Sequence, residues 1–349
     1  MEKFSNWRDG PTGIHPLLPT KSKNVNVFDY IFKYVIGPLF GILRLPFVVL
    51  LTLLLVLFDT LTRMIPVGVI SRVLNRFFTI IFARWILFAM GYFKIEESTE
   101  TLSRSKKAAG SIGTFKMNDV IICNHSSYVD IIYLAYRFSP TFAVPPNDRD
   151  PTTFSARLIP LNIAQALKNA IFSPLHLNQD SVDTKILMEK ITNSWSGPLV
   201  ILPEGTTSNG QGLLDISPVF ESDSGIKSLD FIHVLGITYH YGMYSPCYSS
   251  VGSVWLHLFK LCSQVSNGIQ IKYLSRSCIP PLPDLQAKSI IISSKSSSVV
   301  SELQEWFDNV FKALSSMINT RRTKINSHDK LSFVAYWKGY KVVYDKKNK

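Results

Sequence analysis

The sequence is short of charge, and of acidic charge above all. Charged residues fill 18% of its 349 positions, and 25 Asp and Glu stand against 37 Lys and Arg, a net charge of +12. Such a balance suits an anionic membrane surface, a phosphate-bearing substrate or nucleic acid. Zinc-finger, RNP and basic-helix patterns are missing, which argues against nucleic acid as a partner. Cysteine is also scarce. Cys123, Cys247, Cys262 and Cys278 form no C-x2-C pair and no disulfide framework, so a reduced, cytosol-facing compartment is expected. There is no H-E-x-x-H and no ligand-like spacing of histidines, so no metal is expected. The first 30 residues have no apolar core of the kind a cleavable signal peptide needs. Neither a G-K-[ST] phosphate loop nor a G-x-S-x-G nucleophile turn occurs, and no internal repeat is visible.

What is abundant is apolar. Hydrophobic residues make up 46% and aromatics 12%, with a mean hydropathy of +0.15. That is too apolar for an ordinary soluble enzyme and too polar for a multi-span transporter, leaving a membrane-attached globular protein. The run "VIGPLFGILRLPFVVLLTLLLVLF" (35–58) is interrupted only by Arg44 and, as a helix, is long enough to enter or cross a bilayer. A buried core helix is the alternative. A second stretch, "RFFTIIFARWILFAMGYF" (76–93), sets Arg76 and Arg84 among aromatics, as in a helix at headgroup level or one packed on a domain. Basic residues flank the first stretch on both sides, so a single span and a re-entrant hairpin both stay open.

From about residue 94 the texture changes. Short apolar runs at 119–124, 141–145, 170–177, 198–205, 231–239 and 268–274 alternate with candidate helices at 127–138, 154–169 and 182–194. This predicts an α/β domain over 94–290 with a mixed, mainly parallel sheet flanked by helices. An irregular segment (1–34) and the membrane helices (35–93) precede it. A helix at about 301–318 and a basic tail, within 291–349, follow.

Two motifs end strands. In "IICNHSSYVDIIY" (121–133), His125 is the one histidine of seven with Asp at the fifth position on. On a regular helix that offset places the two side chains about 140° apart. With His125 in the strand-to-helix turn and Asp130 in the first helical turn, the carboxylate can fold back onto the ring. It would then fix the tautomer and leave the other nitrogen to take a proton from an alcohol. A capped helix with a hydrogen-bonded histidine fits the same residues. In "ILPEGTTSNG" (201–210), Glu204, Gly205, Thr206 and Thr207 fall at the edge of the sheet where α/β proteins gather ligands, and a plain turn is the alternative.

Together, in this order and after membrane segments, the motifs resemble those of the glycerolipid acyltransferases. Asn124, His125 and Asp130 match that family's NHxxxxD, and Leu202–Thr206 its FPEGT, within a likeness covering about 93–275. The opening "MEKFSNWRDGPTGIHPLLP" (1–19) is also similar to the start of fungal members that use lysophosphatidic acid and oleoyl-CoA, a group also described as vacuolar protein sorting-associated. The resemblance implies transfer of an acyl group from acyl-CoA, as co-substrate, to lysophosphatidic acid to give phosphatidic acid. It implies a bilayer as partner, at the endoplasmic reticulum or lipid droplets, and no metal or redox cofactor. His125 would be the base and Asp130 its orienter, with Asn124, Glu204, Gly205, Thr206 and Thr207 serving the substrate. The family's phosphate-binding arginine is missing: His176 stands at about that place, and Arg149, Arg157 or Lys168 are other sources of charge. Another lysophospholipid (lyso-PC or lyso-PI) as acceptor remains open, as does a non-catalytic role in membrane trafficking or droplet organisation. A lipid hydrolase lacks a nucleophile motif.

Overall fold

The alternating apolar runs fold as a sheet with helices on both faces. The computed structural model describes residues 3–20, 31–101, 115–116, 119–146, 157–172, 181–194, 197–216, 232–280 and 296–340. Two long helices come first, α1 (Gly37–Arg63) and α2 (Gly68–Ala89). Then follow β1 (Ile95–Glu100), β2 (Val120–Cys123), α3 (Tyr128–Phe138), β3 (Thr141–Val144), β4 (Arg157–Leu161) and α4 (Ile163–Ile171). After these come β5 (Val182–Asp183), α5 (Thr184–Ser194), β6 (Leu199–Ile201), β7 (Gly212–Leu213), β8 (Ile232–His240), α6 (Val254–Ser263) and β9 (Gly268–Leu274). The chain closes with α7 (Ser296–Ile318), β10 (Arg321–Arg322) and α8 (Ser327–Trp337).

Eight strands form one mixed sheet in the order β1-β9-β8-β2-β6-β3-β4-β5. Its centre, β8-β2-β6-β3, is parallel, while β9 runs antiparallel to β8 and β4 antiparallel to β3. Period-two alternation divides the side chains between two cores. Ile121, Cys123, Val200 and Ile237 join one with the inner faces of α1, α2, α3, α4 and α6. Val120, Ile122, Leu199 and Ile201 join the other, under α5 and α7. Because β2 and β6 are adjacent and parallel, the loops after Cys123 and Ile201 leave the same sheet edge side by side. That juxtaposition builds the site.

Several expectations change. The helix expected at 154–169 begins instead as strand β4, with Leu158 facing one core and Ile159 and Leu161 the other. Asn162 then starts α4: its Oδ1 accepts from the Gln165 N–H at 2.8 Å and Gln165 Oε1 accepts from its own N–H at 2.9 Å, a reciprocal cap. The strand expected at 170–177 is accordingly taken up by the end of α4 at Ile171, and its remainder, from 173, lies outside the described residues. Strand β1 and helices α6 and α8 were not among the expected elements. The C-terminal region, expected to end as a tail, instead carries α8, whose Phe333 and Val334 share a small core with Trp7, Leu17 and Leu214.

Helices α1 and α2 form an antiparallel pair lying along the domain. The buried stripe of α1 is Gly37, Gly41, Val48, Leu51, Leu55, Asp59 and Thr62. Leu39, Ile42, Leu43, Phe47, Leu50, Leu53, Leu57 and Leu61 on its other faces are exposed, as are Val73, Phe77, Trp85 and Phe88 of α2. The helix running from Lys33 to Arg63 is long and apolar enough to cross a bilayer by length and composition. Polar ties hold the pair to the domain. Arg44 donates to the Gln264 carbonyl at 2.7 Å, and Arg72 donates to the Ser139 carbonyl at 2.6 Å. Between the helices Asn75 donates to Asp59 at 2.8 Å and to Thr62 Oγ1 at 3.0 Å.

Candidate active site

Strand β2 delivers Asn124 and His125 to the turn, and Ser127 caps α3 by accepting from the Val129 N–H at 3.1 Å. Asp130 is the third helical residue, the place where a capping carboxylate reaches back to the chain before the helix. Its Oδ2 accepts from the backbone N–H groups of Ser126 at 2.7 Å and Ser127 at 2.8 Å, and meets His125 Nδ1 at 3.1 Å. An oxygen already accepting two N–H bonds takes a third as acceptor, so Nδ1 carries the proton and Nε2 keeps its lone pair. His125 is fully buried, and Nε2 has no hydrogen-bond partner among the described residues. Tyr239, near the end of β8, donates its hydroxyl to the other carboxylate oxygen of Asp130. Burial first, and the Asp130 charge next, push the Tyr239 phenol well up, which keeps it a donor.

The expected pair is therefore brought together. The other expected ligands turn inward. Asn124 Oδ1 accepts from the Ile237 N–H at 2.7 Å and its amide donates to the Ile237 carbonyl at 3.0 Å, locking β2 to β8. Glu204, expected to hold the acceptor, has both oxygens engaged by the protein. Oε1 accepts from the His125 N–H at 2.8 Å and Oε2 from the Leu214 N–H at 2.9 Å. Ser208 N–H donates to the His125 carbonyl at 3.1 Å. The second motif thus grips both backbone polar groups of His125, from 79 residues away. Gly205 has φ +68°, the left-handed turn conformation that glycine adopts without strain, and its carbonyl accepts from Asn169 at 3.1 Å. Thr206 and Thr207 are fully buried and accept from Lys330 of α8.

Burial pushes the Glu204 carboxyl up to about 8, against the pull of its two backbone N–H bonds and of Lys330. Burial likewise draws the Lys330 ammonium down to about 7, against the Glu204 carboxylate. His176 and Arg149 lie outside the described residues, while Arg157 and Lys168 are exposed. A cleft of about 140 Å³ beside the motif is lined by Asn124, Ser126, Gly210, Tyr239 and Cys247; His125 does not line it.

Sequence reasoning missed Tyr239, Lys330 and Asn209. Asn209 donates to the carbonyls of His15 at 2.7 Å and Leu18 at 2.8 Å, tying the N-terminal segment to the second motif. The apolar run at 231–239 marked the strand that carries Tyr239, but no local pattern announces Lys330.

No family profile matches the chain. A Schizosaccharomyces pombe protein carrying the provisional name lysophosphatidic acid:oleoyl-CoA acyltransferase is 29% identical over 338 residues, 96% of this chain and 97% of its own length. The chain is thus similar over nearly its whole length to a protein of that provisional name, and it brings together at one sheet edge the two motifs that resemble those of the glycerolipid acyltransferases. Among solved structures, the 1-acyl-sn-glycerophosphate acyltransferase of Thermotoga maritima aligns with 77% of this chain and 97% of its own. Its sequence identity is 13% and the TM-score is 0.34. A buried His-Asp pair with a bare Nε2 is chemically apt for removing a proton from an alcohol.

Proposed function

We propose that this protein is an acyltransferase of the glycerolipid kind, moving an acyl group from acyl-CoA to the free hydroxyl of lysophosphatidic acid and yielding phosphatidic acid. The observation that carries the reading is the His125–Asp130 contact with Nε2 left unpartnered. His125 Nε2 takes the hydroxyl proton as the acceptor oxygen attacks the thioester carbonyl. Asp130 holds the tautomer and steadies the imidazolium that forms. Collapse of the tetrahedral intermediate makes the ester bond and breaks the C–S bond. The leaving thiolate takes the proton back from His125, so the base is regenerated and neither a metal nor a redox cofactor enters. The ring is fully buried, so the substrate's arrival must uncover it. Glu204 and the following turn keep His125 in place. The provisional name of the fission-yeast relative supports lysophosphatidic acid and oleoyl-CoA as the pair to test first.

The membrane reading belongs to the same proposal. The α1–α2 pair is held to the domain by Arg44 and Arg72, which favours a hairpin lying in the cytosolic leaflet over a span standing through the bilayer. The exposed apolar side chains of α1, Phe47 among them, are 44% exposed or more, and each gains on the order of 1 kcal/mol on insertion. Eight of them supply enough for stable attachment. We place the enzyme on endoplasmic reticulum or lipid-droplet membranes, facing the cytosol, a compartment suited to its free cysteines.

The test is a transfer assay on purified protein in liposomes, with a panel of lysophospholipids and acyl-CoA donors. Lysophosphatidic acid is expected to be the best acceptor, and His125→Ala is expected to lower turnover by about 10²–10⁴. Folded His125→Ala protein with wild-type turnover would overturn the mechanism. A different preferred lysophospholipid would overturn the acceptor assignment alone.

A further inference from the structure

We propose that Lys330, on the C-terminal helix, is a positioning residue for catalysis. Its ammonium holds the Thr206-Thr207 turn in the shape that fixes the backbone of His125. The inference rests on the acyltransferase reading above and adds to it a part of the chain lying outside both motifs.

Lys330 is fully buried, and its Nζ donates to Thr206 Oγ1 at 2.9 Å, to the Thr207 carbonyl at 2.7 Å and to Thr207 Oγ1 at 2.8 Å. An ammonium has three N–H donors, so these three contacts leave none for a substrate phosphate. Burying a lysine is costly unless its charge and protons are matched, and an apolar side chain would fill the space at no such cost. What Nζ does, and an apolar side chain could not, is tie three polar atoms of one turn at once. That turn lies between the two residues that grip His125. Glu204, immediately before Gly205 and Thr206, accepts from the His125 N–H at 2.8 Å. Ser208, immediately after Thr207, donates to the His125 carbonyl at 3.1 Å. Moving the turn would shift both ends of that grip, and with them the line from Nε2 to the acceptor oxygen. A misplacement of about 1 Å at such a distance costs on the order of 10²-fold in rate.

The seat of Lys330 is itself built from both ends of the chain. Asn326 caps α8, accepting from the Asp329 N–H at 2.9 Å, and the Trp7 indole donates to Ser332 at 2.9 Å. The Asn209 N–H donates to the Pro16 carbonyl at 2.8 Å and the Lys324 N–H to Asp9 at 2.9 Å. The terminal segments thereby form a strap behind the second motif, with Lys330 as its one charged contact to the Thr206-Thr207 turn among the described residues.

The experiment compares full-length wild type with Lys330→Met and Lys330→Ala. Lys330→Met keeps the apolar stem out to Cε without the amine, and Lys330→Ala is assayed with and without added propylammonium. In folded, membrane-bound protein, both variants are expected to lose about 10- to 100-fold in kcat. KM for acyl-CoA and lysophospholipid should stay within about threefold, and propylammonium should restore part of the Lys330→Ala rate. Amide hydrogen exchange should quicken at the peptide holding His125 and at 204–208, with the sheet elsewhere unchanged. A kcat for Lys330→Met within twofold of wild type, or a rise in KM at constant kcat, would overturn the proposal. If wild type transfers acyl groups to no lysophospholipid, the acyltransferase reading fails by itself. Exchange at His125 then decides the positioning claim: local loss of protection supports it, and unchanged protection refutes it.

Discussion

Replacing Glu204 by Gln separates a residue that holds the catalytic loop from one that binds acceptor. The side chain keeps its shape, so packing is nearly untouched, and the change falls on two buried backbone donors. In the native protein the N–H groups of His125 and Leu214 each meet one carboxyl oxygen of Glu204, at 2.8 and 2.9 Å. Glutamine offers one oxygen and one NH2, so one of those N–H groups faces another donor. An unsatisfied buried donor costs about 1–3 kcal/mol, and exchanging a carboxylate for an amide acceptor at the other weakens that bond by up to about 1 kcal/mol. The expected loss is about 1–4 kcal/mol, a large part of the roughly 5–15 kcal/mol that ordinarily separates folded from unfolded protein. Thermal and denaturant melts in detergent would read it, and kcat should fall about 10-fold or more at nearly constant KM as the His125 backbone loosens. Were Glu204 an acceptor ligand instead, the melt would coincide with wild type and KM for the lysophospholipid would rise. That result would refute the reasoning.

Tyr239→Phe removes the hydroxyl that donates to Asp130, and is expected to lower kcat about 5- to 10-fold without changing KM, read in the same transfer assay. His257 sits with Nδ1 at 2.9 Å from the Tyr128 hydroxyl and Nε2 donating to the Ser245 carbonyl at 3.0 Å, and burial draws it down to about 4. The unfolded imidazole binds its proton near 6.5 and the folded one near 4, so stability should fall as pH drops from about 6.5 toward 4 and level off below. The loss is at most about 3 kcal/mol, and a His257→Gln variant should show a flatter acid limb in melts run across that window. Alkaline carbonate should leave the full-length chain with membranes, and Leu43→Asp combined with Leu53→Asp should release a folded protein. A chain beginning at Glu96 should aggregate, because it strips Val48, Leu51, Ala83 and Ile86 from the first core. A soluble, monodisperse product from that truncation would contradict the packing described.

The sequence by itself determined the parts whose signals are local. Short apolar runs marked β2, β6, β8 and β9, because a strand buried on both faces needs an apolar residue at nearly every position and one half-buried at every second. The His125–Asp130 contact was legible because strand, turn and first helical turn occupy a few consecutive residues with their own cap. Helix α1 was legible from its length and composition. Where the local signal was divided, the reading slipped. Residues 154–169 read as helical from the sequence, yet Leu158, Ile159 and Leu161 are buried in a strand beside β3, and Asn162 caps the helix that begins at Ile163. Only the tertiary structure decided what Glu204, Thr206 and Thr207 do, since β2 and β6 become neighbours through pairing 79 residues apart. It likewise decided that α1 lies along the domain, and that Tyr239 and Lys330 reach the motifs from 109 and 124 residues away. Burial supplies the physical reason. A buried polar group must find its partner wherever the packed chain brings one, and that address is written in the sheet order and in the seating of the terminal helices, in no local pattern.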